Sequence, residues 1–512
     1  MNLIIHLIAR CVRMAPFLAL AAFVAGCAVG PDFHKPAAPA VQGYSPEPMA
    51  PHTAAADISG GAAQNFVNGL DIPGQWWTMF HSERLNGLVV QALNANPSLQ
   101  AAQAALREAH ENVYAQQGAF FPTITGSGAA TRQQVSAAEF GSSNGSSFLY
   151  NVYNASVNVS YTIDVWGGIR RQYEALQAQA DYERFVLEAS YLTLTTNVVT
   201  AAIQEASLRA QIDATHEIIT AETEQLDIVR QQFQLGGASG SDVLAQETAL
   251  AQEKATLPPL EKQLEIERDL LRALAGHLPS DDIAVDFDLS TLKLPADLPV
   301  SLPSKLVEQR PDVREGEALM HQASAQIGVA TANMLPQFTL TGQYGSFATT
   351  ISNLATPGTT VWDAAAGLTQ PLFEGGTLLH KRRAAIAAYD QAAAQYRSTV
   401  ITAFQNVADS LRALQSDADA LKAQLAAERS AANSFEISGN QYRVGGITYL
   451  TLLNAQNTYQ QTRISLVQAM AARYADTAAL FQALGGGWWN RSDAAAPPPA
   501  TWNILNSEGD PR

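Results

Sequence analysis

The chain has 512 residues, more than one ordinary domain needs, and a net charge of −16 with only 15% charged residues. That balance argues against a nucleic-acid partner, because a phosphate backbone recruits cationic surfaces. Acidity does not choose among the remaining partners.

Residues 1–26 read as a secretory signal. Arg10 and Arg13 precede an apolar run from Met14 to Ala25. The run is shorter than the roughly 20 residues that a membrane-spanning helix needs. It ends in Val24-Ala25-Gly26-Cys27, which resembles the bacterial lipobox. That resemblance implies cleavage before Cys27, a diacylglycerol on its sulfur and an acyl chain on its new amino group. Ala28 in place of an aspartate implies sorting to the outer membrane. The competing reading is a chance cysteine behind an ordinary signal. Cys11 leaves with the signal, so one cysteine remains and no intrachain disulfide can form. Each buried acyl CH₂ contributes about 0.8 kcal/mol, so several chains hold firmly. Residues 27–85 form the anchored N-terminal segment.

Two tandem units follow, at 86–295 and 296–486. Asn96-Pro97 is followed 25 residues later by Phe121-Pro122, and Arg310-Pro311 by Leu335-Pro336 at the same spacing. Both intervals are alanine-rich and helix-like. After each second proline, apolar and polar residues alternate. Each unit then predicts helix, strand, loop, strand, long helix, Gly-Gly turn and long helix. A period above 200 residues indicates duplication of a whole domain rather than a small-unit solenoid.

In the first unit, Val157, Val159, Tyr161, Ile163 and Val165 share one strand face, with Ser156, Asn158, Ser160, Thr162 and Asp164 on the other. In the second, Phe338, Leu340 and Tyr344 alternate with Thr339, Thr341 and Gln343, and Trp362, Ala364, Ala366 and Leu368 repeat the pattern. A soluble sandwich and a membrane barrel both fit such strands. Four strands cannot close a membrane barrel, and open edges are not tolerated in hydrocarbon. Membrane strands here therefore require several protomers in one barrel. The polar loop Glu139–Ser147 suits the cell exterior.

The helical runs Ile169–Leu235 and Thr377–Val444 contain no proline, and each would extend about 100 Å. Val400, Val407, Leu414, Leu421 and Phe435 recur at multiples of seven, beside a lane of Leu411, Ala418, Leu425 and Ala432. Pro258-Pro259 predicts a break or kink in the second run. Gly236-Gly237 and Gly445-Gly446 sit in near-identical words 209 residues apart, each between long helices. Glycine accepts the left-handed turn at a helix C-terminus, so each pair marks the tip of a helical hairpin. Beyond the second pair, Leu450 and Asn454 share a helical face with Thr451 beside them. The repeat pairs Asp242 with Thr451.

No HExxH, Walker loop, GxGxxG or nucleophile elbow occurs, so the reading is non-enzymatic, without metal or cofactor beyond the covalent lipid. The proline-rich end, 487–512, reads as a disordered tail.

Longer words carry a family resemblance. Gly26–Pro36, Trp76–Ala102 and Leu302–Gly342 resemble the corresponding openings of TolC-like outer membrane efflux factors, closest to the lipid-anchored NodT-type branch. The resemblance implies an α+β membrane protein whose long antiparallel helical hairpins form a periplasmic tunnel. It implies a homotrimer whose four strands per protomer make a 12-stranded outer-membrane barrel. It also implies a periplasmic adaptor and an inner-membrane pump of the resistance-nodulation-division type, with this chain as a passive conduit for small molecules. The Gly-Gly tips would then form the periplasmic mouth. Leu450, Thr451 and Asn454 would face the pore, Tyr442 would match the family's tip tyrosine, and Arg443 would pair across the closed mouth. Asp242 reads either as an acidic gate residue or as an ordinary helix N-terminal acid. The rival classes are an anchored structural or adaptor-like periplasmic lipoprotein without a channel, and a lipid-anchored hydrolase.

Overall fold

A computed structural model describes residues 28–41, 43–136 and 147–491. The signal, Cys27, most of the Glu139–Ser147 loop and the tail from residue 492 lie outside the described residues. The strands are β1 (Asn65–Asn68), β2 (Thr123–Val135), β3 (Phe148–Ile163), β4 (Asp297–Val300), β5 (Gln337–Ala348) and β6 (Thr360–Thr369). The helices are α1 (Glu83–Ala95), α2 (Pro97–Gln117), α3 (Gly168–Gln234), α4 (Gly240–Leu274), α5 (Pro303–Gln309), α6 (Pro311–Ala332), α7 (Thr377–Arg443) and α8 (Tyr449–Ala483). Helix α1 starts at Glu83, where the Ser82 hydroxyl accepts from Leu85 N–H.

Local chemistry sets the boundaries. The Asn96 carbonyl oxygen accepts from Ser98 and Leu99 N–H, and Pro97 occupies the first helical position of α2. Asp164 was expected on the polar face of β3, but the strand ends at Ile163. Its carboxylate instead accepts from Ile169 and Arg170 N–H, both at 3.0 Å, and so starts α3. Val165 lies past the strand for the same reason. Pro258 and Pro259 do not break α4, which runs through both. Leu257 and Leu260 flank them and pack on Leu208, Ile212 and Leu264.

Helices α3 and α7 have 67 residues each, and α4 and α8 have 35 each. Along α7, Val407, Leu411, Leu414, Ala418 and Leu421 are at most 1% exposed, so the seven-residue lanes form the buried seam.

The larger sheet has strand order β2-β3-β5-β6, all antiparallel. Its register places Gly126, Val157, Tyr344 and Trp362 in one row, and Ile163, Phe338 and Leu368 in another. Residues in register share a face, so the apolar face is continuous across the sheet. It is uncovered: Ile124 is 69%, Tyr344 64% and Trp362 75% exposed. The edge strands β2 and β6 have no outer partner among the described residues. A second, smaller sheet was not anticipated. It pairs β1 with β4 in parallel and stitches the N-terminal segment to the second unit.

The main core lies midway along the long helices. Trp76, Trp77 and Phe80 of the N-terminal segment are buried there with Val198 and Val199 of α3, Val407 and Leu411 of α7, and Tyr474 and Phe481 of α8. Trp76 stacks on Phe481 at 5.3 Å between ring centroids. The assignment of 487–491 to a disordered tail is corrected here. Trp488 Nε1 donates to Gln309 O at 2.6 Å, and Asn490 Nδ2 to Asp71 Oδ2 at 2.8 Å. The Arg491 guanidinium pairs with Glu188 at 2.7 Å. These contacts fix the segment to the core.

Candidate functional site: the paired helix reversals

Both reversals have the same backbone construction. Gly236 and Gly445 take φ of +74° and +76°. Their N–H groups donate to Phe233 O and Tyr442 O, and the next glycines donate back to Gln232 O and Gln441 O at 2.7 and 2.8 Å. This is the Schellman pattern, which satisfies the last carbonyls of a helix and reverses the chain. The first glycine of each pair supplies the left-handed conformation. The second permits close approach: a Cβ on Gly446 would sit 3.3 Å from Gln441 O.

The return helices start alike too. Ser239 and Thr448 are N-caps whose hydroxyls accept from Asp242 and Thr451 N–H. Asp242 completes a capping box by accepting from Ser239 N–H at 2.9 Å. The positions equated by the 209-residue repeat are therefore matching cap positions. Within the chain, the ordinary N-terminal role of Asp242 is the one its contacts display.

Two tyrosines clasp the hairpins together. The Tyr442 hydroxyl, at the end of α7, donates to Gln232 Oε1 of α3 at 2.7 Å. The Tyr449 hydroxyl, at the start of α8, donates to Gln246 Oε1 of α4. The rings meet edge to face at 5.4 Å. Tyr449 packs with Val229, Ala249, Leu452 and Leu453 in a small apolar cluster. Burial and the nearby Asp242 charge push the Tyr442 hydroxyl pKa up. Burial, then Tyr442, Glu222 and Asp242, do the same at Tyr449. Both hydroxyls therefore stay protonated as donors.

Leu450, Thr451 and Asn454 lie on the opposite, exposed face, with Leu450 60% exposed. Arg443 bonds Asn440 of its own helix. Phe233, Leu235 and Val444 also stand exposed at the turns, Leu235 by 87%. Sequence reasoning passed over Gln232, Gln246 and Tyr449. Glutamines 456 and 460 extend the Leu452 lane at four-residue steps, and such polar interruptions are the signal that marks buried amide partners.

A second constellation lies where strand gives way to helix. The buried Arg171 guanidinium donates to Val29 O at 3.2 Å and pairs with Asp32 at 2.6 Å and Glu174 at 2.7 Å. Val29 N–H donates to Trp166 O at 2.9 Å. The first residues after Cys27 are thus held against the end of β3 and the start of α3.

A family model described as outer membrane efflux protein matches residues 88–277 and 302–486. A probable efflux pump outer membrane protein, TtgC of Pseudomonas putida KT2440, is 28% identical, with 93% of this chain and 96% of that protein aligned. The cation efflux system protein CusC of Escherichia coli O6:H1 is 26% identical over 93% of this chain and 99% of its own. Among solved structures, the outer-membrane channel OprN superposes with a TM-score of 0.81 at 25% identity, covering 90% of this chain and all of that one. The CmeC outer membrane channel of Campylobacter jejuni gives 0.80 at 22% identity, covering 91% and 97%.

Proposed function

Since the chain belongs to the outer membrane efflux protein family, an outer membrane channel-tunnel that extends into the periplasm and serves export, we propose that it acts as a passive homotrimeric conduit. The single observation that carries this reading is the four-stranded sheet. It has one continuous exposed apolar face and two edges without partners. Twelve strands from three copies would close those edges, as hydrocarbon demands. The helices would then form the tunnel wall and the paired reversals its periplasmic mouth.

In this reading Cys27 carries the lipid. The clamp of Ala28–Asp32 at Arg171 supports it, because it holds the mature N-terminus beside the ends of the membrane strands. The gate comprises Leu450, Thr451 and Asn454, which three-fold symmetry would gather into rings, with Tyr442 and Arg443 beside them and Asp242 at the first tip. Gly236, Gly237, Gly445 and Gly446 shape the turns. A periplasmic adaptor and an inner-membrane pump, of the resistance-nodulation-division type, supply energy and opening. The adaptor shifts the population by binding the open mouth more tightly than the closed one. The chain itself has no catalytic role and needs no metal or cofactor besides its lipid.

Light scattering of the detergent-solubilised protein, corrected for detergent mass, is expected to give three chains per particle, with ion conductance in bilayers. A stable monomer that conducts would refute the shared barrel.

A further inference from the structure

Away from the mouth and the sheet, α3, α4 and α8 line an open cleft of about 650 Å³. Two carboxylates line it, Glu222 from α3 and Glu253 from α4, together with Gln252, Gln460, Leu260 and Ile464. No lysine, arginine or histidine lines it. Glu222 is only 1% exposed. Its Oε1 accepts from Gln460 Nε2 at 3.0 Å and Gln456 Nε2 at 3.4 Å. Its Oε2 is buried with no hydrogen-bond partner among the described residues. A sequestered carboxylate oxygen with no donor is costly, and its residue lines a cleft large enough for a small molecule.

We propose that this cleft binds a monovalent organic cation. Its charged nitrogen lies between Glu222 and Glu253, and its apolar part lies against Leu260 and Ile464. The chemistry favours an ammonium ligand over a metal ion. Calcium and magnesium take six or more oxygens at close range, whereas the cleft is far larger than one ion. Among the described residues, no group of three His, Cys, Asp or Glu gathers anywhere. Protons compete for the same oxygens. Burial pushes the Glu222 carboxyl up, and the Glu253 charge adds to it. Burial raises Glu253 as well. From α8 no ionisable side chain lines the cleft, and Tyr449 farther along that helix stays protonated. Binding therefore weakens as pH falls and these carboxylates take up protons.

The probe is ethidium, titrated by fluorescence anisotropy into the full chain in lipid nanodiscs at pH 8, with neutral chloramphenicol as comparator. Saturable ethidium binding is expected. It should weaken at least tenfold in Glu222→Gln and in Glu253→Gln, and it should weaken in the wild type as the pH is lowered. Chloramphenicol should show none of these changes. Glu253→Gln carries the test if the more buried Glu222→Gln fails to fold. Bilayer conductance of each variant is recorded in parallel, so loss of the site is distinguished from loss of the channel. Reduced cellular export of ethidium in Glu253→Gln would identify the occupant as cargo. Unchanged export with lost binding would identify a resident monoamine rather than cargo. No saturable binding, or equal binding in wild type and both variants, would overturn the proposal.

Discussion

We predict that Tyr449→Phe opens the mouth more readily. The substitution keeps the ring, its packing on Leu452 and Leu453 and its edge contact with Tyr442, and removes one hydroxyl. The loss falls on Gln246, which is fully buried and whose amide nitrogen already donates to Glu222 O at 3.0 Å. Its Oε1 would then have no donor. An unsatisfied buried acceptor costs about 1–3 kcal/mol. The bond joins α8 to α4, one hairpin to the other, so separating the hairpins breaks it. If it exists only in the closed mouth, the closed-to-open ratio falls about 5- to 150-fold per protomer, at 1.4 kcal/mol per factor of ten. Single-channel recording in planar bilayers reads this as a higher open fraction. Tyr442→Phe, whose partner Gln232 is only half-buried, should give a smaller change in the same direction. An unchanged open fraction with a lowered melting temperature would show that the bond persists in both states. The clasp would then be structural, and the reasoning wrong.

Changing Cys27 to Ser should abolish incorporation of radiolabelled fatty acid, and undiminished labelling would sink the anchor. Replacing Leu450 and Asn454 together by Ala should raise single-channel conductance, and cysteine at Asn454 should cross-link protomers; neither effect would mean that the constriction lies elsewhere. Glu315→Gln should raise the melting temperature at pH 8 and change it little at pH 4. Burial, with Asp312 and Glu183 nearby, pushes the Glu315 carboxyl from 4.5 up to about 7. Between those values the folded state holds more protons than the unfolded chain. The contribution of Glu315 is therefore most favourable below about pH 4.5 and declines as pH rises through 7. Equal gains at both pH values would refute that assignment.

Much of this architecture is legible in the sequence because it is local. Strand alternation at Val157–Ile163 and the seven-residue lanes of α7 follow from side-chain periodicity, and the structure keeps both. The Gly-Gly turns follow from backbone geometry at two residues. The missed features are long-range. Nothing near Gln246 states that Tyr449, 203 residues later, will donate to it. The β1–β4 pair joins Asn65–Asn68 to Asp297–Val300, runs too short to show alternation. Pro258-Pro259 does not end α4, because the flanking leucines pack on α3, a contact that local proline chemistry does not reveal. Trp488 sits beside a proline-rich segment but is anchored by Gln309, and composition carries no trace of that contact.

The equality of the two helical hairpins in length has a mechanical consequence. Outgoing helices of 67 residues and returning helices of 35 bring both reversals to the same level, where Tyr442 meets Gln232 and Tyr449 meets Gln246. One residue added to α3 alone would lift its turn by about 1.5 Å and rotate it by about 100° relative to α7. Both tyrosine bonds would then be out of register. The helices behave as paired rulers cut to one length, so single insertions are forbidden along most of their span. Matched whole turns added to both hairpins would keep the tyrosine bonds in register.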